Sequence, residues 1–220
     1  MDWADAQKQR PLYLNLGGRN HCHPHSKYQN YFSVDLEPGE GWHLVHDLTK
    51  PMPLPDSSTD RIHTEDALHY LEKSDIETLF AECHRLLKPG GHMRIGVTDY
   101  NHPKDRFCLK LGTDPRHARH KTLTTKPLME SLLQKSPFQK YEFFHYWDGD
   151  AFTEKPIDYS LGWINRTPEH DPRCKRIRLK GYLNNALLML KSGFRLSKTD
   201  HAMLEGNHLF VTSLVVDCIK

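Results

Sequence analysis

Short apolar runs, each closed by a glycine or a carboxylate, punctuate the first hundred residues. Leu12–Leu16 stops at Gly17-Gly18, and a second run, Tyr31–Val34, ends on Asp35. Runs of this length bounded by turn residues predict buried strands. Further strands are expected at Trp42–Val45, Asp60–Thr64 and Met93–Val97. The links between the first four strands are poor in helix signals. Residues 19–30 contain Pro24 and almost no apolar periodicity, EPGEGW is a turn, and TKPMPLPDSS carries three prolines. Residues 1–11 are polar and expected to form a loose arm.

After the fourth strand the period changes. Ile76, Leu79, Phe80, Cys83, Leu86 and Leu87 share one helical face. Ser74 with Glu77 three residues on predicts a capping box, and Lys88-Pro89-Gly90-Gly91 a stop. The fifth strand closes on Thr98-Asp99-Tyr100. Residues 101–180 show no simple strand–helix rhythm and are expected to form one insertion, a lid or acceptor-binding segment. A last helix at Tyr182–Lys191 and two strands, Phe194–Thr199 and Leu209–Ile219, complete the chain. Gly206-Asn207 between those strands predicts an antiparallel pair. Residues 1–220 are thus expected to form a single domain.

Strand, glycine turn, strand and terminal acid make one half of a nucleotide-binding α/β sheet. Gly17 and Gly18 let backbone approach a ligand where a side chain would block it. Asp35 has the acceptors for two ribose hydroxyls. An ordinary tight turn and a strand-end cap would use the same residues, so the pairing at this spacing carries the argument.

Composition narrows the class. No apolar run reaches membrane-spanning length, the start lacks a signal peptide's apolar core, and five separated cysteines suit reduced thiols. These features predict a cytoplasmic protein. Net charge is +2, but residues 99–180 hold 16 of the 30 Lys and Arg against 11 acids. That segment could face an anion or be a solvated surface. His21, Cys22, His23 and His25 offer zinc-type ligands, but no second cluster stands at a known spacing, and no metal site is expected.

The ordered set LNLGG, VDLEP, VHDL, PLPDSSTDRIHTEDALHYL, LLKPGGHMRIGVTD and LKSGFRL resembles the class I S-adenosylmethionine-dependent methyltransferases. The likeness covers about residues 12–98 and 182–219. It is nearest to small methyltransferase-like proteins found near glycan-assembly genes, whose fifth strand ends in Pro-Asp where this chain has Thr98-Asp99. The resemblance implies an α/β, Rossmann-like, seven-stranded sheet in the order 3-2-1-4-5-7-6. Its last strand is antiparallel; this chain departs from the family in its reduced first helices, and residues 101–180 add a large insertion after strand five. It implies S-adenosylmethionine over the carboxyl ends of strands one to four. Gly17 and Gly18 would cradle it, Asp35 and Leu36 would meet its ribose, and Asp47 and Leu48 would frame the adenine. Glu65, Asp66 and Leu68 would floor the methionine pocket. Arg19 replaces the loop's third glycine, where it would either clash with the methionine moiety or pair with its carboxylate. His69-Tyr70 stands where the family usually has Glu-His.

Methyl transfer needs alignment and, for a hydroxyl or amine, a proton acceptor. Asp99, His69 and His120 are the candidates for that base, with His145 behind them. The basic segment's aromatics (Phe143, Phe144, Tyr146, Trp147, Phe152, Tyr159 and Trp163) suit either stacking on a ligand or, more simply, a small core. His120-Lys121-Thr122, Arg166 and Arg173 could hold an anionic acceptor. The expectation is therefore methyl transfer to a small-molecule or glycan-like acceptor. The alternatives are transfer of another arm of the same cofactor, or a lapsed binding subunit. Neither the net charge nor any Asn-Pro-Pro-Tyr-type motif favours nucleic acid.

Overall fold

The computed structural model describes residues 2–18, 31–39, 41–103, 105–165, 167, 183, 186–191, 193, 195 and 213–220. Arg19, the His21–His25 cluster, Arg166, Arg173 and nearly all of the expected strand Phe194–Thr199 lie outside these residues. Leu183 and 186–191, the described part of the expected last helix, are helical.

Alternation along the strands decides the architecture. On β1 (Tyr13–Leu16), Leu14 and Leu16 join the apolar core; on β2 (Tyr31–Asp35), Phe32 and Val34 do; on β4 (Thr59–Glu65), Ile62 does. On β5 (Leu87–Thr98) the core side is Met93, Ile95 and Val97, and on β8 (Ser213–Ile219) it is Leu214, Val216 and Cys218. Side chains one position away point to the opposite face. That second face carries Asn15, Ser33, His63, Arg94 and Asp217, all buried. One face of the sheet is oily and the other polar.

The oily face takes the helices. α2 (Lys73–Leu86) buries Ile76, Leu79, Phe80, Cys83 and Leu86 against it. α4 (Lys126–Lys135), capped by the Thr125 side chain with Pro127 in its first turn, packs beside α2 and adds Met129, Leu132 and Leu133. Each such side chain contributes about 1.5–3 kcal/mol relative to exposure. A short N-terminal helix, α1 (Trp3–Lys8), contributes Ala6, so the expected loose arm is ordered there. As expected, no helix occurs in the described residues between β2 and β3 (His43–Val45), nor between β3 and β4.

The sheet runs β3-β2-β1-β4-β5-β8-β6-β7. β1 to β5 are parallel, and β8 lies antiparallel between β5 and β6 (Lys140–Asp148). β7 (Ala151–Glu154) is the hairpin partner of β6 at the edge. This corrects the expectation of seven strands. The strand beyond the antiparallel one is β6, from the stretch expected to be an insertion, and β7 adds an eighth. The described residues of 101–180 supply α3 (Arg106–Leu111), α4, β6 and β7, of which the two strands extend the sheet. Phe143 and Trp147 are buried, as the small-core interpretation of the aromatics requires. The expected capping box is also absent: α2 starts at Lys73, placing Ser74 inside the helix, and Glu72 at the cap makes no side-chain bond.

The polar face is closed by a coiled strap, residues 155–165. Arg94, fully buried, donates Nε to Asp217 Oδ1 (2.8 Å) and Nη2 to Asp217 Oδ2 (2.6 Å). Its Nη1 donates to the Asp158 carbonyl (2.7 Å) and to the Gly162 carbonyl. Burial would raise the Asp217 carboxyl, but Arg94 and His92 beside it outweigh burial and hold it below the usual range. Removing one partner of such a buried pair leaves the other's charge uncompensated. Asp217→Ala should therefore destabilise the protein by about 3–5 kcal/mol in urea unfolding. A loss under about 1 kcal/mol, the scale of an exposed pair, would show that Arg94 does not depend on it.

Candidate active site

The carboxyl ends of β1, β2 and β4 meet at Gly17. Parallel pairing sets Leu16 beside both Val34 and Thr64, so the glycine bend, Asp35 and the end of β4 are neighbours. Gly17 has φ +72°, and a Cβ there would fall 2.3 Å from the Ala67 Cβ. A Cβ on Gly18 would fall 1.9 Å from Asn15 Nδ2. Gly17 is thus required by backbone angle and by shape, and Gly18 by its closeness to the Asn15 side chain.

Asn15 was not singled out from the sequence. It is 1% exposed, and neither amide atom has a hydrogen-bond partner among the described residues. Orphaned buried amides are costly and uncommon. Its signal was an amide inside the apolar run just before the glycines.

Asp35 is half-buried at the end of β2, with Oδ1 accepting from the Glu37 backbone N–H (3.1 Å). Leu36 and Val45 flank it as exposed apolar side chains. Asp47 Oδ1 accepts from both the backbone N–H and the hydroxyl of Thr49, which lowers its pKa, the backbone bond first. Leu48 beside it is nearly buried. Glu65 is gripped by the strap: Asn165 donates its backbone N–H (2.8 Å) and its side-chain amide (3.1 Å) to the two carboxylate oxygens. Asp66 has φ +58° and leads into the 3-10 turn Leu68–Tyr70, where Leu68 is a fully buried core residue.

Next to this edge, above the ends of β4 and β5, lies a cavity of about 250 Å³. Asp66, His69, Thr98 and Tyr100 line it on the sheet side, and Asp105, Asp114, Arg116, His117 and His120 close it from the segment after β5. The His120 ring packs against two others: His69, tilted, at 3.8 Å between centroids and His117, stacked, at 4.6 Å. Arg116 bridges Asp105 (2.7 Å) and Asp114 (2.9 Å). Among the described residues the wall therefore carries three carboxylates against one guanidinium that is already paired. Lys121 instead faces Glu72 at 3.8 Å. These groups give no free cationic wall for an anionic acceptor.

The candidate bases separate. His69 and His120 are brought together at the cavity. His145 lies away from it on β6, its Nε2 at 3.2 Å from the Lys155 carbonyl. Asp99 does not line the cavity: it is fully buried, Oδ1 accepts from the Asn101 N–H (2.9 Å) and Oδ2 from the Trp147 N–H (2.7 Å). It ties the end of β5 to β6, so the strand-end position that recommended it as a base serves the sheet instead. Among the described residues no three ligating side chains are grouped to hold a metal.

Burial, opposed by those two N–H donors, pushes Asp99 from the ordinary 3.8 up to about 6. The native carboxyl then holds its proton more tightly than the unfolded one. Asp99's contribution favours folding most below about pH 4 and is eroded as pH rises to about 6. The Asp99 carboxyl should titrate near pH 6 by carbon NMR; a midpoint near 4 would show that the backbone donors cancel burial.

Residues 18–95 match the family described as "Methyltransferase domain". No curated protein sequence matches the chain. Among solved structures, a SAM-dependent methyltransferase from Archaeoglobus fulgidus superposes with TM-score 0.56 at 14% identity, over 94% of this chain and 85% of that one. A SAM-dependent methyltransferase from Thermotoga maritima, described as a possible histamine N-methyltransferase, gives 0.54 at 14% identity over 94% and 81%. Phosphoethanolamine N-methyltransferase 2 of Haemonchus contortus, in complex with S-adenosyl-L-methionine, gives 0.50 at 14% over 94% of this chain and 48% of that one. The chain thus has the fold of these S-adenosylmethionine-dependent methyltransferases, and the methyltransferase-domain match falls on the glycine-bend half of its sheet.

Proposed function

We propose that the protein transfers a methyl group from S-adenosylmethionine to a nitrogen or hydroxyl oxygen of a small acceptor seated in the histidine-lined cavity. The observation that carries this is the contiguity of the two regions: the Gly17 bend packs on Ala67, and the next residue back, Asp66, lines the cavity. A nucleotide edge and a proton-accepting pocket thus share one wall. The shape fits the cofactor. Bare backbone at Gly17-Gly18 and the unpartnered Asn15 amide suit its polar methionine end, Asp35 its ribose, and Leu36, Val45, Asp47 and Leu48 its adenine. The bound cofactor supplies an electrophilic methyl on a sulfonium centre. The complex of Haemonchus contortus phosphoethanolamine N-methyltransferase 2 with S-adenosyl-L-methionine, on the same fold, supports the choice of cofactor.

This chain's own work is then to seat the acceptor and take its proton. The acidic wall suits a neutral or cationic acceptor, and an amine fits it better than an anion. The flat faces of Tyr70 and the histidines can pack on an ammonium before it is deprotonated. His120, with His69 against it, is the base. Its contribution is expected at about 10²–10⁴-fold.

Calorimetry should detect S-adenosylmethionine and its demethylated product binding, and Asp35→Ala should weaken both by about 1–3 kcal/mol. No heat at millimolar ligand would leave only a scaffold. Against a panel of small amines and alcohols with a labelled methyl donor, His120→Gln should lower kcat at least about 10²-fold without changing cofactor affinity. Undiminished turnover would remove His120 from the chemistry.

A further inference from the structure

We infer that Tyr100 and Asp114 are positioning residues that fix the tautomer of His120, leaving the lone pair on Nε2. This deepens the reading of the cavity given above. The argument counts protons along a chain of three side chains. The Tyr100 hydroxyl lies 2.9 Å from Asp114 Oδ2 and also within hydrogen-bond reach of His120 Nδ1. A phenol has a single proton to give, and an ionised carboxylate can only accept.

Asp114 is held ionised. Arg116 donates Nε (3.0 Å) and its backbone N–H (2.9 Å) to Oδ1, and Nη2 (2.9 Å) to Oδ2. The Arg116 bonds, ahead of burial, keep the Asp114 carboxyl far below the usual range. Tyr100 keeps its proton, because burial and then the bond to Asp114 push the phenol up. The phenolic proton therefore points at Asp114, and the bond between the tyrosine oxygen and Nδ1 must be made with a proton from the imidazole. His120 carries its N–H on Nδ1, so Nε2 is the proton acceptor.

The ring is also packed against the rings of His69 and His117. When Nε2 takes a proton from the acceptor's N–H or O–H, that bond's electron pair stays on the nucleophilic atom. The imidazolium keeps its Nδ1–H on Tyr100, whose own proton stays directed at the Asp114 carboxylate. The arrangement holds a histidine as a carboxylate alone would, with a tyrosine inserted between.

Nitrogen-15 NMR of the full-length, histidine-labelled protein, above the range in which histidine titrates, tests this without methyl donor or acceptor. A wrong tautomer and a wrong methyl-transfer reading are thus scored separately. His120→Asn assigns the resonance by its loss. The wild type should show His120 protonated on Nδ1. In Tyr100→Phe that preference should be lost and signal move to the Nε2–H form. Asp114→Asn goes further. The amide NH₂ is best placed at the former Oδ2 position, which faces one obligate donor instead of two. It then donates to the tyrosine oxygen, turns the phenolic proton toward His120, and should invert the tautomer. A wild type protonated on Nε2, or a His120 spectrum unchanged in both variants, would overturn the inference.

Discussion

A single buried guanidinium holds the polar side of this molecule together. Arg94 stands in an inner strand of a sheet whose other face packs against α2 and α4. Left alone it would be an intolerable charge. Asp217, from the strand inserted next to it, neutralises it bidentately, and two strap carbonyls take the third nitrogen. The same residues that satisfy Arg94 draw the strap across the sheet, and the strap then delivers Ile164 against Gly96 and Asn165 onto Glu65. Among the described residues, this ion pair and the strap it holds are what close the second face.

The division of labour at the site follows from that asymmetry. At the β1–β2 edge the chain offers backbone, an amide and a carboxylate. At the β4–β5 edge it offers stacked rings and paired charges. Most titratable groups at the second edge hold one another in place: Arg116 is spent on two aspartates, Tyr100 on Asp114 and His120. Little is left to move except a proton on a histidine, which matches a reaction in which the enzyme mainly aligns partners.

The first hundred residues were legible because each strand announces its end. Leu12–Leu16 halts at a glycine pair whose geometry tolerates nothing larger, and Tyr31–Val34 halts at an acid. β6 was not legible, and the reason is physical. In KYEFFHYWD aromatics occupy both parities, so the two-residue period is washed out and the strand looks like a lid's core. α4 did carry a signal, a threonine cap, an early proline and apolar 128, 129, 132 and 133, but a later Gly-Phe junction competed for its place in the expected order. That Asp99 is buried and does not line the cavity was not legible either, because a strand-end position says nothing about which way a carboxylate turns. The hydrogen-bonded row Asp114–Tyr100–His120 was invisible for a like reason: Asp114 and His120 reach Tyr100 only after the chain loops back, and no local pattern records that return.

The placement of β8 has its own consequence for how the chain assembles. β5 and β6 are both made long before Ser213, yet in the finished sheet they do not touch, because β8 lies between them and pairs with each. On a ribosome the first five strands can zip in order, while β6 and its hairpin must wait, edges exposed, for a strand some seventy residues away. Asp217 travels on that strand. Arg94 therefore stays uncompensated until the sheet closes, and the step that joins the two halves is also the step that extinguishes the charge.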